Sequence, residues 1–245
     1  MIYILSDIHG NTRRFKSIME QINLQQDDTL YILGDVIDRY SGGIELLQRL
    51  MKMPNVKMLL GNHEEMMLRA LGSPFDTNET VDDQTTEKYL RHWYRNGGGV
   101  THESWKLLQK EQQNEILDYL HSLPLEFDLT VNGQNYKLVH AAPIELYDRY
   151  KEDYADALHF SLYKRLKISD DLPGGYILIF GHTPTIDFDD CCPMKIFHGS
   201  DRIAIDCGSG FPEEFSFDNS HLYGRLACLR LEDMKEFYSE ENPGS

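Results

Sequence analysis

Residues 1–60 repeat one pattern three times: a short apolar run, a polar loop, then a segment with helical spacing. Ile2–Leu5 is the first run and Ser6-Asp7-Ile8-His9-Gly10-Asn11 follows it. Over Thr12–Ile22 the apolar residues Phe15, Ile18, Met19 and Ile22 fall on one helical face, with Asn11 or Thr12 available as N-cap. Thr29–Leu33 is the second run, ending in Gly34-Asp35, and Ile44–Met51 is helical again. Val56–Leu60 is the third, ending in Gly61-Asn62-His63-Glu64. Strands alternating with helices imply a parallel sheet with covered faces. In such a sheet the working residues sit in loops beyond the carboxyl ends of the strands.

The middle of the chain departs from this pattern. Ser73–Asp83 is polar and turn-rich, and Thr86–Tyr94, His102–Gln109 and Gln112–Leu120 read as helices broken at Asn96-Gly97-Gly98-Gly99. Residues 72–123 therefore read as a helical insertion, placed as a cap over the site. Leu125–Val131 and Asn135–His140 flank Asn132-Gly133, which predicts a hairpin. Asp156–Leu166 reads as helix, Tyr176–Phe180 as a strand running into Gly181-His182-Thr183-Pro184, and Arg202–Asp206 and Arg225–Leu231 as closing strands. Glu240–Ser245 reads as a frayed tail.

Composition narrows the classes. With 245 residues, a single domain over 1–245 is expected. Lys and Arg number 24 against 40 Asp and Glu, a net charge of −16. Such a surface repels nucleic-acid polymers and anionic membranes, and no basic patch offsets it. An anionic substrate then needs a locally positive site, which bound metal ions would provide. No apolar run is long enough to span a membrane, and Met1-Ile2-Tyr3-Ile4-Leu5 reads as a strand without the basic n-region of a signal peptide, so a cytoplasmic protein is expected. Cys191, Cys192, Cys207 and Cys228 lack metal or disulfide spacing and read as reduced thiols.

The chemistry lies at the ends of the apolar runs. Asp7 and His9 follow the first, Asp35 the second, Asn62 the third; His140 ends the second hairpin strand and His182 follows Tyr176–Phe180. Each alone has an ordinary explanation: Gly34-Asp35 suits a turn, Asn62 a helix cap, the histidines a half-buried setting. Their order and common placement point to one site. Carboxylate, imidazole and amide donors suit manganese, iron or zinc better than calcium. Six such donors exceed one tetrahedral ion and fit two metals bridged by a carboxylate.

With these motifs the chain resembles the metallophosphoesterases, and within them the PPP-type serine/threonine phosphatases of the small bacterial and phage branch. The residues carrying the resemblance are Asp7-Ile8-His9-Gly10, Gly34-Asp35-Val36-Ile37-Asp38-Arg39, Gly61-Asn62-His63-Glu64, Val139-His140-Ala141 and Gly181-His182-Thr183-Pro184. His92-Trp93 through Asn96-Gly97-Gly98-Gly99, Ile205-Asp206-Cys207-Gly208 and Gly224-Arg225-Leu226 extend it over nearly the whole chain. The resemblance implies a metallophosphoesterase-like α/β sandwich with a mixed sheet system flanked by helices. It implies that Asp7, His9 and Asp35 hold one divalent metal, and that Asp35 bridges to a second held by Asn62, His140 and His182. His63, paired with Asp38, would protonate the leaving oxygen, and Arg39 would grip the phosphate. A second phosphate-binding cation is expected between the two late histidines, in the stretch His159–Arg165, with Arg165 first and Lys164 second.

The reaction so implied is removal of phosphate from phosphoserine or phosphothreonine, in a phosphoprotein or phosphopeptide, by a metal-bridging hydroxide. Manganese is the first expectation, iron or zinc the alternatives. The rival substrate is a dinucleoside polyphosphate such as diadenosine tetraphosphate. Trp93, Tyr94 and Trp105 would then stack bases, or else pack the insertion's own core. A scaffold without catalysis conflicts with the complete ligand set, and a nuclease with the charge and with Glu64.

Overall fold

The three N-terminal units form where the pattern places them. They are β1 (Ile2–Leu5) with α1 (Thr12–Ile22), β2 (Thr29–Ile32) with α2 (Gly43–Leu50), and β3 (Val56–Met58) with α3 (Asn62–Ala70). The computed structural model describes residues 1–74, 82–191, 193–211 and 224–239. Most of Ser73–Asp83, Cys192 and the tail Glu240–Ser245 lie outside the described residues. The insertion contains α4 (Asp83–Arg95), α5 (Gly99–Lys106) and α6 (Lys110–Ser122), and the glycine run separates the first two. β4 (Glu126–Val131) and β5 (Gln134–Val139) pair antiparallel around Asn132-Gly133. Both turn residues have positive φ, 50° and 81°, as a two-residue hairpin turn requires. Beyond them come α7 (Ala157–Tyr163), β6 (Ile177–Phe180), β7 (Phe197–His198), β8 (Arg202–Ala204), β9 (Ala227–Arg230) and β10 (Lys235–Tyr238).

The strands form two sheets, ordered β10-β9-β1-β2-β3 and β4-β5-β6-β8-β7. In the first, β1, β2 and β3 run parallel, while β9 and β10 add an antiparallel edge. In the second, β5, β6 and β8 run parallel between antiparallel β4 and β7. Both sheets are therefore mixed.

Period-two alternation sorts the core into layers. Ile4, Tyr31 and Leu33 of the first sheet pack with Tyr136, Leu138, Ile179 and Ile203 of the second. The opposite face of the first sheet, with Tyr3, Leu5, Leu30 and Ile32, is covered by α1, α2, α3 and the insertion. The opposite face of the second, with Val139, Leu178 and Phe180, packs on Phe160 of α7 and Leu146. The result is a helix–sheet–sheet–helix sandwich. No helix among the described residues is long and apolar enough to cross a membrane.

Several elements differ from the sequence reading: the helix expected over His102–Gln109 is α5, three residues earlier, the two-residue β7 was not expected, and α7 and β10 depart as follows. The helix expected over Asp156–Leu166 is the shorter α7, capped by the Asp156 carboxylate accepting from His159 N at 2.7 Å. It stops because Lys164 turns to extended backbone, and the chain then buries Leu166 beside Phe160. β10 was not anticipated, since its Lys-Glu-Phe-Tyr sequence buries only Phe237 fully.

Candidate metal centre

The strands of both sheets deliver their carboxyl ends to one place. Asp7 and His9 follow β1, Asp35 and Asp38 follow β2, and Asn62 and His63 open α3 just beyond β3; His140 follows β5 and His182 follows β6. To turn these side chains inward the backbone bends sharply. Asp7, His9, Asp35, Asp38, Arg39 and His182 all have φ between 53° and 72°, the left-handed region that non-glycine residues avoid. Such conformations cost on the order of 1–3 kcal/mol each and persist where surroundings enforce them.

The enforcing contacts are visible. His9 N donates to Asp35 O at 2.9 Å and Gly10 N to Val36 O at 2.6 Å, lacing the first two loops together. The buried Glu64 carboxylate accepts from Asp35 N (2.9 Å), Val36 N (2.8 Å), Ile37 N (3.3 Å) and Gly61 N (3.1 Å). Gly61 and Gly181 leave room for the ligands: a Cβ at Gly61 would collide with the Asp35 carboxylate, and one at Gly181 with Asp7.

The carbonyl partners fix the histidine tautomers. His140 Nδ1 lies 2.7 Å from Leu33 O, which can only accept, so Nδ1 carries the proton and Nε2 presents a lone pair. That Nε2 faces Asn62 Oδ1 at 2.9 Å and Asp35 Oδ1 at 3.6 Å, both acceptors. His182 Nδ1 stands 2.9 Å from the same Asn62 oxygen. His9 Nδ1 faces Ile37 O at 3.2 Å, which turns its Nε2 lone pair to Asp7 Oδ1 at 3.9 Å and Asp35 Oδ2 at 3.8 Å. Carboxylate, amide and imidazole atoms that converge in this way define candidate cation sites, with the His63 amide N donating to Asp35 Oδ1 at 3.0 Å from one side. Their separations fit ligands each roughly 2.0–2.2 Å from a shared ion. Two groups emerge among the described residues, His9-Asp35-His63 and Asp35-His140-His182, with Asp35 common to both. The donor set therefore fits two divalent ions. One difference stands out: the tighter group on the His9 side takes in His63, with Asp7 at its edge.

The electrostatics keep these groups ready for a cation. Burial, reinforced by Arg39 and His63, holds His9 well below the ordinary imidazole value, and burial with His140 does the same to His182. Burial opposes ionisation of Asp35, yet His140, His63, His9 and His182 together hold its carboxyl below the usual range. Neutral imidazoles around an ionised carboxylate are the state a metal binds. Burial next to Asp35 pushes Asp7 up. Burial and Asp7 push Asp206 up.

His63 and Asp38 form a separate pair. His63 Nδ1 lies 2.7 Å from Asp38 Oδ2, and its Nε2 points to Asp35 Oδ2 (3.9 Å) and Arg39 Nη2 (3.5 Å). Burial works against the imidazolium, but Asp35 and Asp38 outweigh it and raise His63 above its ordinary value. Arg39 is exposed and runs beside His9 and Gly210. Arg165, 57% exposed, pairs with Asp187 at 3.7 Å and lies close enough to His182 to lower its proton affinity. Lys164 is engaged elsewhere, with Asp170 at 3.5 Å and the Tyr150 ring at 4.2 Å.

Three residues beside the site make contacts that the sequence reading did not assign to them. Glu64 was noted only as part of a motif. Tyr163 O–H donates to Glu65 Oε2 at 2.8 Å, linking α7 to α3. Trp93 is fully buried and its Nε1–H donates to Asp38 Oδ2 at 2.8 Å. Trp93 and Trp105 are core residues, which removes them as base-stacking surfaces; Tyr94 alone of the three is exposed, at 42%.

Strand ends converging on shared carboxylate and imidazole donors define a candidate divalent-metal site. A sequence profile of the calcineurin-like phosphoesterases matches residues 1–212, and the chain belongs to that family. Within it, the chain is 37% identical over 68 residues to a symmetrical bis(5'-nucleosyl)-tetraphosphatase of Wigglesworthia glossinidia brevipalpis, a match covering 27% of this chain and 25% of that one. It is 26% identical over 125 residues to the enzyme of the same description from Salmonella paratyphi A, covering 50% and 37%. The matches thus span well under half the length of these curated relatives. Among solved structures, a proposed diadenosine tetraphosphatase superposes with a TM-score of 0.57 at 16% identity, covering 99% of this chain and 94% of that one. The cold-active protein-tyrosine phosphatase of a Shewanella species gives 0.52 at 16% identity, covering 98% and 80%. At these identities the superpositions establish the shared fold.

Proposed function

We propose that this protein hydrolyses a dinucleoside polyphosphate at a two-metal centre. The carrying observation is the sharing of Asp35 by two convergent donor groups. The choice of substrate is supported by the curated relatives, which are symmetrical bis(5'-nucleosyl)-tetraphosphatases. They reverse the order of the two substrate readings drawn from the motifs.

Asp7, His9 and Asp35 would hold one ion, and Asp35, Asn62, His140 and His182 the other. The mixed oxygen and nitrogen donors suit manganese, with iron or zinc as alternatives. Once bound, two divalent cations supply charge for the phosphoryl oxygens and a water acidic enough to attack at neutral pH. Arg39 presents a planar fork to two phosphate oxygens, which suits it to steady their developing charge. Arg165, beside His182, would take a further phosphate oxygen. His63 delivers the proton on Nε2 to the departing oxygen, while Asp38 keeps Nδ1–H in place.

A phosphoserine or phosphothreonine substrate is the second reading, favoured by the His63–Asp38 pair. A departing alkoxide needs that proton more than a departing nucleotide phosphate does. Within the family, Arg39 and Glu64 support the PPP-type branch for either substrate. Product analysis separates the readings. Manganese-loaded protein should cleave diadenosine tetraphosphate faster, per kcat/KM, than phosphoserine peptide. Turnover of the peptide alone would reverse the assignment.

A further inference from the structure

The helical insertion contributes three hydrogen bonds to the Asp38-Arg39 dipeptide. Trp93 Nε1 donates to Asp38 Oδ2 at 2.8 Å, Asp38 N donates to Thr101 Oγ1 at 2.9 Å, and Arg39 N donates to Gly97 O at 3.1 Å. The dipeptide needs such support, because both residues have left-handed backbone, with φ of 72° and 66°. Gly97 can make its contact because it too is left-handed, at 96°, and a side chain there would press on Arg39.

The Asp38 side chain depends on few donors. It is completely buried, and its Oδ2 is shared by His63 Nδ1 and Trp93 Nε1. Its Oδ1 has no hydrogen-bond partner among the described residues. A buried carboxylate with one bare oxygen is poorly satisfied, so each remaining donor weighs heavily. Without the indole, nothing in this set of contacts distinguishes one carboxylate oxygen from the other as the partner of His63. The carboxylate would then turn about its last bond, and the imidazole would turn with it.

We propose that Trp93 is a positioning residue for proton delivery: its indole N–H fixes the Asp38 carboxylate so that His63 Nε2 stays aimed at the leaving oxygen. The insertion is thereby a working part of the site. The proposal rests on the reading of His63 as the general acid. Trp93 touches no substrate. Its influence should grow with the leaving group's need for a proton and vanish once His63 is gone.

The test uses the full, manganese-loaded chain and two substrates: p-nitrophenyl phosphate, which leaves readily, and phenyl phosphate, which leaves poorly. Trp93→Phe removes the donor but shrinks a buried ring and carries a folding risk. Replacement of Trp93 by 3-benzothienylalanine keeps the bicyclic shape and exchanges only N–H for sulfur. Both variants should lower kcat for phenyl phosphate by roughly ten- to a hundredfold. Their kcat for p-nitrophenyl phosphate should stay within about threefold, with KM unchanged for both substrates. In a His63→Asn background the benzothienyl exchange should have no further effect. Equal losses on both substrates, or a loss that persists without His63, would overturn the proposal and leave the acid reading standing. If His63→Asn itself spares phenyl phosphate, the acid reading fails and this proposal with it.

Discussion

Replacing Glu64 by Gln probes how the first three loops are held. Glu64 is fully buried and accepts four backbone N–H bonds, two on each oxygen: Val36 and Ile37 on Oε1, Asp35 and Gly61 on Oε2. Gln keeps the shape but turns one oxygen into an NH2 group. Whichever way the amide faces, two of the four donors then meet another donor. Each buried donor left unsatisfied costs about 1–3 kcal/mol, so the variant should lose about 2–6 kcal/mol. That is a large share of the roughly 5–15 kcal/mol a domain possesses. With a urea slope of about 2–3 kcal/mol per M, the midpoint should fall by about 0.7–3 M. Burial beside Asp35 pushes the Glu64 carboxyl up to about 7, so the comparison belongs at pH 8, where the carboxylate prevails. The same donors fix the main chain of Asp35, so manganese affinity should weaken with stability. Urea denaturation of metal-free protein and calorimetric titration with manganese measure the two effects. A midpoint shift under about 0.3 M with unchanged metal affinity would refute the role given to Glu64.

Other consequences are more direct. Asp35→Ala removes the residue common to both donor groups and should lower metal content below that of any other single ligand variant, read by elemental analysis of dialysed protein. His182→Ala should spare the ion on the His9 side while abolishing turnover, so about half the wild-type metal content is expected. His63→Asn should retain metal and slow phenyl phosphate more than p-nitrophenyl phosphate, by roughly 10²–10⁴-fold for the poor leaving group. Manganese at a hundred times its Kd should stabilise the fold by about 2.7 kcal/mol per site. For a chain of this size that raises Tm by roughly 5–10 °C per site, and chelator should reverse it in a thermal melt.

The legible part of the sequence was the part where ligand and strand are neighbours. Asp7, Asp35 and Asn62 each lie within a few residues of a strand's end, so an apolar run followed by an acceptor marks both the element and the site. The same holds for His140 after β5 and His182 after β6. Interactions that cross the fold left no comparable mark. Glu64 finds three of its four donors 27 to 29 residues away in the β2 loop, and a lone glutamate after Asn-His does not announce that. Trp93 occupies an apolar helix position whether it packs or donates, so its bond to Asp38 is invisible in the pattern. Lys164 and Arg165 are adjacent, and in the helix expected over Asp156–Leu166 about 100° of rotation would separate their directions. Only the actual end of α7, at Tyr163, sends Lys164 to Tyr150 and Arg165 toward His182. With a charge of −16, an anionic substrate as proposed would rely for its attraction on Arg39, Arg165 and any bound metal ions.

The most direct test of the two-metal centre is metal content and hydrolysis measured on the same preparation. Chelator-stripped protein would be titrated with manganese while diadenosine tetraphosphate cleavage is followed. If Asp35 joins two sites, activity should rise only as the manganese content approaches two per chain, and Asp35→Ala should neither bind that amount nor turn over. Full activity at one manganese per chain, or Asp35→Ala that still holds two, would contradict it.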